Sequence, residues 1–261
     1  PDKLMEFIHS ELKPKEKEKM ENGEVFTPLS LVNEMMDKLD ECYTKEHRKS
    51  IFTVPGFKWF DPAAGIGNFQ VILYQRLMKG LKIPDEEERR KHILEKMIYA
   101  SELTPKNVFI YKKIFCGDKY KLNIYEGDTL TMDVKKEFGI DTFDVVLGNP
   151  PYNKGGIRSH TGKQLGEKNE TIWTKFIRFE WLKPDGFLAF INPLSWLKKS
   201  HSLHNVMLEK HIVWLKLWDN IKSLATINGK IPISLFILQN TLNMQNKKTE
   251  IISEIQGKKL T

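Results

Sequence analysis

Short apolar runs alternate with helical patterns along most of this 261-residue chain. Runs of roughly four to eight residues rich in branched and aromatic side chains are typical of buried strands, whereas apolar residues three and four apart are typical of helices. This alternation predicts an α/β fold, a doubly wound and mostly parallel sheet of seven strands with Rossmann-like connections. The predicted strands are residues 57–60, 97–100, 122–125, 143–147, 186–191, 212–217 and 231–238.

The connection between the last two predicted strands differs from the others. It is short for a helical crossover, and it contains the turn signal Asn228-Gly229-Lys230. We therefore expect an antiparallel hairpin at one edge of the sheet. The rest of the chain divides into a charged helical arm at 1–22, one α/β domain at 23–240 and a tail at 241–261.

The net charge and the amino-acid composition limit which partners and which cellular compartment are expected for this chain. The net charge of +7 fits a polyanionic partner such as nucleic acid, although many basic proteins bind none. Cys42 and Cys116 lack neighbours at metal-ligand spacing, which argues against a structural metal or a disulfide framework. No apolar run approaches the roughly 20 residues of a membrane span, so we expect a soluble protein of the cytoplasm, without a membrane partner.

A glycine-containing loop follows the first predicted strand and reads Asp61-Pro62-Ala63-Ala64-Gly65-Ile66-Gly67-Asn68-Phe69. Gln70 stands where a dinucleotide-binding loop would have its third glycine, which argues against a bound pyrophosphate. Asp61 would repel phosphate and attract a cationic amino group, such as that of a methionine moiety. A tight strand-to-helix turn is an equally good explanation of the two glycines.

Two more acidic residues follow predicted strands. Glu102 lies where doubly wound folds place the carboxylate that accepts hydrogen bonds from a ribose, and Asp128 could accept one from the amine of an adenine ring. A solvated acid and an ordinary turn residue are the alternative interpretations. Ligands of such sheets bind beyond the carboxyl ends of the strands, so the two acids and the glycine loop predict one shared site.

The most specific motif is Asn149-Pro150-Pro151-Tyr152, directly after the strand at 143–147. The lone pair of an aromatic or amide amine is delocalised, so methylation at that nitrogen requires acceptors that hold its two N–H groups near tetrahedral geometry. The Asn149 side-chain oxygen and the Pro150 carbonyl are such acceptors, and the prolines add no competing N–H donor. Tyr152 offers a flat face for stacking.

In these motifs and their order the sequence resembles the amino-methyltransferases, in particular the adenine-specific DNA methyltransferases of restriction-modification systems. The resemblance spans about 23–240 and implies a catalytic domain that binds S-adenosylmethionine without a metal. It also implies a catalytic role for Asn149, Pro150, Pro151 and Tyr152. The cofactor-binding residues that it implies are Phe26, Thr27, Pro28, Asp61, Ala63, Gly65, Gly67, Phe69, Glu102, Asp128 and Asn149.

The substrate that the resemblance implies is double-stranded DNA with a flipped adenine. The residues Lys154, Arg158 and Lys163, here called the basic loop, could contact phosphates beside that base, or could be merely solvated. Enzymes with this motif order carry a target-recognition domain, so the tail at 241–261 could begin one, and a restriction endonuclease or recognition domain is the expected partner. Methylation of a protein glutamine or an RNA base amine, and a non-catalytic nucleic-acid-binding subunit, remain alternatives.

Trp173, Phe176 and Ile177 resemble the helix that follows the tetrad in this family. Their spacing favours a role in helical packing over a role in binding.

Overall fold

A computed structural model describes residues 27–154, 170–218, 232–242 and 248–254. The predicted arm at 1–22, the turn at 228–230, and Phe26, Arg158 and Lys163 lie outside these residues.

Eight strands form the main sheet of the described chain, in the spatial order β10-β8-β9-β7-β4-β1-β2-β3. Strand β9 is antiparallel to both β7 and β8, and every other pairing in this sheet is parallel. Two short strands, β5 and β6, pair separately as an antiparallel ribbon. The strands are β1 Trp59–Asp61, β2 Ile98–Glu102, β3 Asn123–Glu126, β4 Phe143–Gly148, β5 Asn153–Lys154, β6 Glu170–Thr171, β7 Leu182–Pro193, β8 Lys210–Trp218, β9 Ile233–Leu242 and β10 Glu250–Glu254.

All seven predicted strands are present, and the prediction of a mostly parallel α/β sheet is confirmed. The strand number and the position of the hairpin need correction. Strand β10 lies within the predicted tail and adds an eighth strand parallel to β8, so β8 and β9 form the predicted antiparallel pair one strand inside the edge. Strand β10 contains only two adjacent apolar residues between acidic ends, which is too weak a pattern to indicate a strand.

Helices cover the two faces of this sheet. Helix α1 begins after Pro28, and its apolar residues at helical spacing, including Met35 and Leu39, are buried. Helix α3 begins at the N-cap Asp85, whose side chain accepts the N–H of Glu88. The helices are α1 Leu29–His47, α2 Asn68–Gly80, α3 Glu86–Lys96, α4 Pro105–Ile114, α5 Val134–Phe138 and α6 His204–Leu208, with 3₁₀ turns at Ile51–Thr53, Trp173–Phe176, Phe179–Trp181 and Leu194–Leu197.

Side-chain alternation along the central strands separates the core into layers. In β9, Leu235 and Ile237 pack with helices α1 and α2, whereas Phe236 and Leu238 pack on the opposite face with Trp181 and Trp196. Because both faces are covered, most residues inside the central strands are apolar, and polar side chains such as those of Asp61 and Asn192 lie mainly near the strand ends.

The strand order reverses at β1, whose neighbours are β2 and β4. In open α/β sheets, the crevice beyond the carboxyl ends of the strands at such a point is where ligands bind. The four predicted motifs follow β1, β2, β3 and β4 and so meet at this crevice. In the parts of the chain that the structure describes, no helix combines the length and apolar character needed to cross a membrane.

Candidate functional site

A cavity of about 480 Å³ lies at the carboxyl ends of β1 to β4. This is the size of pocket that small-molecule ligands and cofactors occupy. The structure thereby brings together residues that are more than 120 positions apart in the sequence. The cavity-lining residues that the sequence predicted are Thr27, Ala63, Gly65, Phe69, Glu102, Asp128, Asn149 and Pro151.

The glycine loop forms one wall of the cavity, and the backbone geometry explains why glycine stands at positions 65 and 67. Gly65 and Gly67 both have positive φ angles, +57° and +99°. A Cβ at Gly67 would approach the rings of Tyr111 and Phe115 to 3.0 Å, so only glycine fits there without a shift of these rings. The tight strand-to-helix turn and the cavity wall are therefore the same feature.

Glu102 lies at the end of β2 with 8% of its surface exposed. One carboxylate oxygen accepts the N–H of Gly65 at 2.8 Å, and the other accepts the N–H of Thr104 at 2.9 Å and the Asn107 amide at 3.3 Å. A carboxylate offers about four acceptor positions. Glu102 is thus held rigidly and retains capacity for one more donor from a ligand.

The turn after β3 carries Asp128, which is exposed at the cavity. One Asp128 oxygen accepts the N–H of Leu130 at 2.9 Å, and the Thr129 hydroxyl donates to the Pro62 carbonyl at 2.7 Å. The N–H of Gly127 donates to the Glu102 carbonyl at 3.0 Å. These bonds tie the loops after β1, β2 and β3 into one frame.

Asp61 lies behind this frame and is not among the described residues that line the cavity. Its carboxylate is 1% exposed, with one oxygen accepting the N–H of Ala63 and the other accepting the Gln70 side-chain amide, each at 2.9 Å. Burial raises the pKa of Asp61 to about 7 despite these two donors. Gln70, which replaces the third glycine, is therefore the buried partner of this acid.

Asn149 follows the end of β4 and lines the cavity. Its amide nitrogen donates to the Thr27 hydroxyl at 3.1 Å. Its amide oxygen is buried and has no hydrogen-bond partner among the residues that the structure describes. A buried acceptor without a donor costs free energy, on the order of 1–3 kcal/mol, so this oxygen is suited to a donor brought by a ligand.

The rest of the tetrad is arranged around Asn149. Pro150 is buried and Pro151 lines the cavity. The half-buried Tyr152 ring packs against both core layers and is not one of the cavity-lining residues described, and burial raises the pKa of its hydroxyl. The Tyr152 carbonyl accepts the N–H groups of Ile172 and Trp173 at 3.1 and 3.4 Å, which anchors the tetrad to the following segment. Stacking by Tyr152 stays a prediction.

Neither Gly67 nor Pro28, both predicted to bind the cofactor, is one of the cavity-lining residues described. Pro28 precedes α1, where its carbonyl accepts the N–H groups of Leu31 and Val32. The backbone of Lys154 forms part of the β5–β6 ribbon that leaves the tetrad.

The cavity also has apolar and basic lining residues that sequence reasoning missed or assigned to packing. Leu103, 65% exposed, and Phe176 belong to the lining. Phe176 lies on a 3₁₀ turn and is also part of the core, so the predicted packing role is confirmed but incomplete. The Arg178 guanidinium donates to the Leu130 carbonyl at 3.1 Å. The sequence could have identified Leu103 as a site residue, because this apolar residue directly follows Glu102, the acid at the end of a predicted strand.

A family model for Eco57I restriction-modification methylases matches residues 68–219, which is more than half of the chain. The chain belongs to the Eco57I restriction-modification methylase family. The matched segment runs from the start of α2 through the tetrad and past the end of β8. It thus includes Glu102, Asp128 and Asn149.

Individual relatives of this Eco57I-family chain are distant in sequence. An uncharacterised adenine-specific methylase of Mycoplasma pneumoniae is 24% identical over 251 aligned residues, covering 70% of this chain and 57% of the relative. A type I restriction-modification methyltransferase subunit from Streptococcus thermophilus matches with a TM-score of 0.59 and 19% identity, over 88% of this chain and 47% of the subunit. The DrdV–DNA complex matches at 0.61 and 17%, over 95% of this chain and 29% of the other.

The Eco57I-family chain therefore spans about half the length, or less, of these relatives. The structural matches establish a shared methyltransferase-type fold, consistent with the doubly wound sheet and its reversed strand β9.

Proposed function

We propose that this chain transfers a methyl group from S-adenosylmethionine to the exocyclic amine of adenine in double-stranded DNA. The observation that carries the proposal is the buried, unpartnered side-chain oxygen of Asn149 at the edge of the cavity, among the residues that the structure describes. Membership of the Eco57I family supports the reaction class.

The cavity fits S-adenosylmethionine in size and in charge. Glu102 and Asp128 line the cavity at the ends of β2 and β3, and Asp61 lies behind it, so this side of the site favours a cationic group of the ligand. The basic lining residues Lys175 and Arg178 come from the segment after β6. Leu103 and Phe176 offer apolar surface for a flat heterocycle. Glu102 would hold the ribose hydroxyls and Asp128 the adenine amine.

When bound, S-adenosylmethionine supplies a methyl group on a sulfonium, which leaves as a neutral thioether. The residues of this chain act on the acceptor. The Asn149 oxygen and the Pro150 carbonyl accept the two N–H groups of the target amine, which holds the nitrogen lone pair outside the ring plane. The amine is positively charged once the new C–N bond forms, and it then releases one proton to solvent, so these two residues need only orient the amine.

Adenine in DNA is the finer part of the proposal. It is supported by the name of the Mycoplasma relative, by the DNA in the DrdV structure, and by the positive net charge. An amine inside a duplex is out of reach, so the target adenine would be flipped, with the basic loop near its phosphates. A recognition domain or a restriction endonuclease would be the partner, and the cytoplasm the place of action.

Methyl transfer from tritiated S-adenosylmethionine tests the proposal. The chain is offered double-stranded DNA, transfer RNA and a glutamine-bearing protein in parallel, and Asn149→Ala serves as the inactive control. We expect label in DNA alone, lost in the variant. Label in RNA or protein, or cofactor binding without any transfer, would show that the substrate assignment is wrong.

A further inference from the structure

The segment that follows β7 carries positive charge and no acidic residue. From Gly186 to Leu208 the sequence contains no Asp or Glu, and it contains two adjacent lysines, Lys198 and Lys199, here called the lysine pair. Both lysines are exposed, and within the described parts of the chain neither ammonium group has a carboxylate partner. The lysine pair is therefore accessible to an anionic partner.

Hydrogen bonds hold this segment in a defined shape. The buried Trp196 indole donates to the Ser234 hydroxyl at 3.0 Å, which anchors the 3₁₀ turn after β7 to strand β9. The His204 ring donates to the Trp196 carbonyl at 3.2 Å, and the N–H of His201 donates to the Lys198 carbonyl at 2.9 Å. The lysine pair thus lies on a folded turn that is bonded to the sheet.

The same segment lies beside the tetrad. Strand β7 is parallel to β4, with Phe190 paired to Gly148, so both strands end at the carboxyl edge of the sheet. The His201 ring stacks on the Trp173 ring with centroids 5.4 Å apart and planes 24° apart. The N–H of Trp173 donates to the Tyr152 carbonyl at 3.4 Å. Trp173 therefore connects the turn that carries the lysine pair to the tetrad.

His201 takes part in this stack as a neutral ring. Its Nδ1 accepts the N–H of Leu203 at 3.2 Å, which requires that Nδ1 carries no proton. Burial also lowers the pKa of His201. At neutral pH the positive charge of this turn therefore comes from the lysine pair.

We propose that the lysine pair binds phosphates of the DNA strand that carries the flipped adenine. This inference deepens the proposed function and rests on DNA as the substrate. A flipped base stays attached to its strand, so the neighbouring phosphates pass close to the tetrad. Two ammonium groups on a folded turn at this edge hold the strand in place without reading any base. The lysine pair follows β7 and is separate from the basic loop, which follows the tetrad.

Fluorescence anisotropy with a fluorescein-labelled DNA duplex, measured over a series of salt concentrations, tests the proposal. Lys198→Gln/Lys199→Gln removes the two charges, and Lys198→Arg/Lys199→Arg retains them. The matched control is Lys79→Gln/Lys82→Gln, which removes the same net charge from two exposed lysines at the far end of α2. That end lies about 17 Å along the helix from the residues of α2 that line the cavity.

The glutamine variant of the lysine pair should bind DNA about 10-fold more weakly than wild type, because each lost phosphate contact releases fewer counterions. The slope of log affinity against log salt concentration should flatten by about 2, roughly one for each lysine. The arginine variant should keep the wild-type affinity and slope, and the control should change both much less. Equal losses in the control, or an unchanged slope in the glutamine variant, would overturn the proposal.

Calorimetric titration with S-adenosylmethionine separates a DNA contact from damage to the site. We expect the wild-type Kd in the glutamine variant, because neither lysine is among the described residues that line the cavity. A loss of cofactor affinity as large as the loss of DNA affinity would overturn the proposal. A wild-type chain that binds DNA through the lysine pair and transfers no methyl group to it would refute the proposed function and support this surface. Methyl transfer to DNA that is indifferent to the lysine pair would do the reverse.

Discussion

Replacing Asp61 by asparagine should make the free protein more stable and weaken its binding of S-adenosylmethionine. Asp61 is 1% exposed, and burial raises its pKa from 3.8 to about 7. Asparagine keeps the shape and the acceptor oxygen that the Ala63 N–H requires, and it removes the buried charge. Its amide nitrogen replaces the oxygen that accepts the Gln70 amide, so the Gln70 amide must turn over and present its buried, unpartnered oxygen as the acceptor. The chain therefore carries a destabilising carboxylate that we interpret as a feature retained for ligand binding.

The sign and size of the expected change in stability follow from the raised pKa of Asp61. A carboxyl group with a raised pKa stabilises the folded state below its unfolded pKa, and this stabilisation is lost as the pH rises through the folded value of about 7. At pH 8 the ionised Asp61 costs about 4 kcal/mol, because a tenfold change in an acid dissociation constant corresponds to roughly 1.4 kcal/mol. Lowering the pH from 8 to 5 should reduce the advantage of Asp61→Asn by about 3 kcal/mol.

Urea unfolding at pH 8 and pH 5 measures the stability of wild type and Asp61→Asn. Calorimetric titration at pH 8 compares S-adenosylmethionine with 5′-methylthioadenosine, a neutral thioether that lacks both the sulfonium charge and the amino-acid portion with its ammonium group. We expect the variant to lose affinity for the first ligand and to retain affinity for the second. A variant less stable than wild type at pH 8 would show that the ionised Asp61 does not destabilise the fold. An equal loss of affinity for both ligands would show that the Asp61 charge does not act on the cationic part of the cofactor.

Three further predictions concern the cavity and its surroundings. Gly148→Ala places a Cβ 2.6 Å from an Asp61 oxygen and should lower the free energy of unfolding in urea by about 1–3 kcal/mol. Gly56→Ala is the control and should lower it little, because nothing lies within 4 Å of a Cβ there. Equal losses of stability in the two variants would contradict this prediction. Leu103→Ala should weaken cofactor binding about 10-fold in the same titration. It should change the free energy of unfolding little, because Leu103 is exposed in the free protein. An unchanged affinity would show that Leu103 does not contact the cofactor. Reversing the charges of the basic loop should weaken DNA binding and flatten its salt dependence in fluorescence anisotropy, and unchanged affinity would remove the loop from the interface.

The sequence was sufficient to predict seven strands of the main sheet and to predict that the motifs after them share one site. Strands β1, β2 and β4 are largely buried and apolar because both faces of the sheet are covered there, and polar residues at their ends are therefore conspicuous. Glu102, Asp128 and Asn149 were found in this way, and the structure places all three at one cavity. Strand β10 was not predicted, because an edge strand with only two apolar residues shows no detectable hydrophobic periodicity.

Contacts between distant side chains could not be predicted from the sequence. The bond between Thr27 and Asn149 joins residues 122 positions apart, and no local pattern indicates it. Gln70 was noted only as a missing glycine, because its function as a donor depends on Asp61 being buried beside it. Asp61 was predicted to bind the cofactor, and its place behind the loop, which no sequence pattern indicates, follows from the bond that its own carboxylate accepts from the N–H of Ala63.

Methylation of the adenine N6 atom by this chain can be tested by identifying the methylated atom in DNA. Double-stranded DNA is incubated with the chain and S-adenosylmethionine that carries a trideuterated methyl group, digested to nucleosides, and analysed by mass spectrometry beside an Asn149→Ala control. We expect N6-(trideuteromethyl)-2′-deoxyadenosine in the wild-type sample and none in the control. Label in a cytosine, or adenine label that persists in Asn149→Ala, would contradict it.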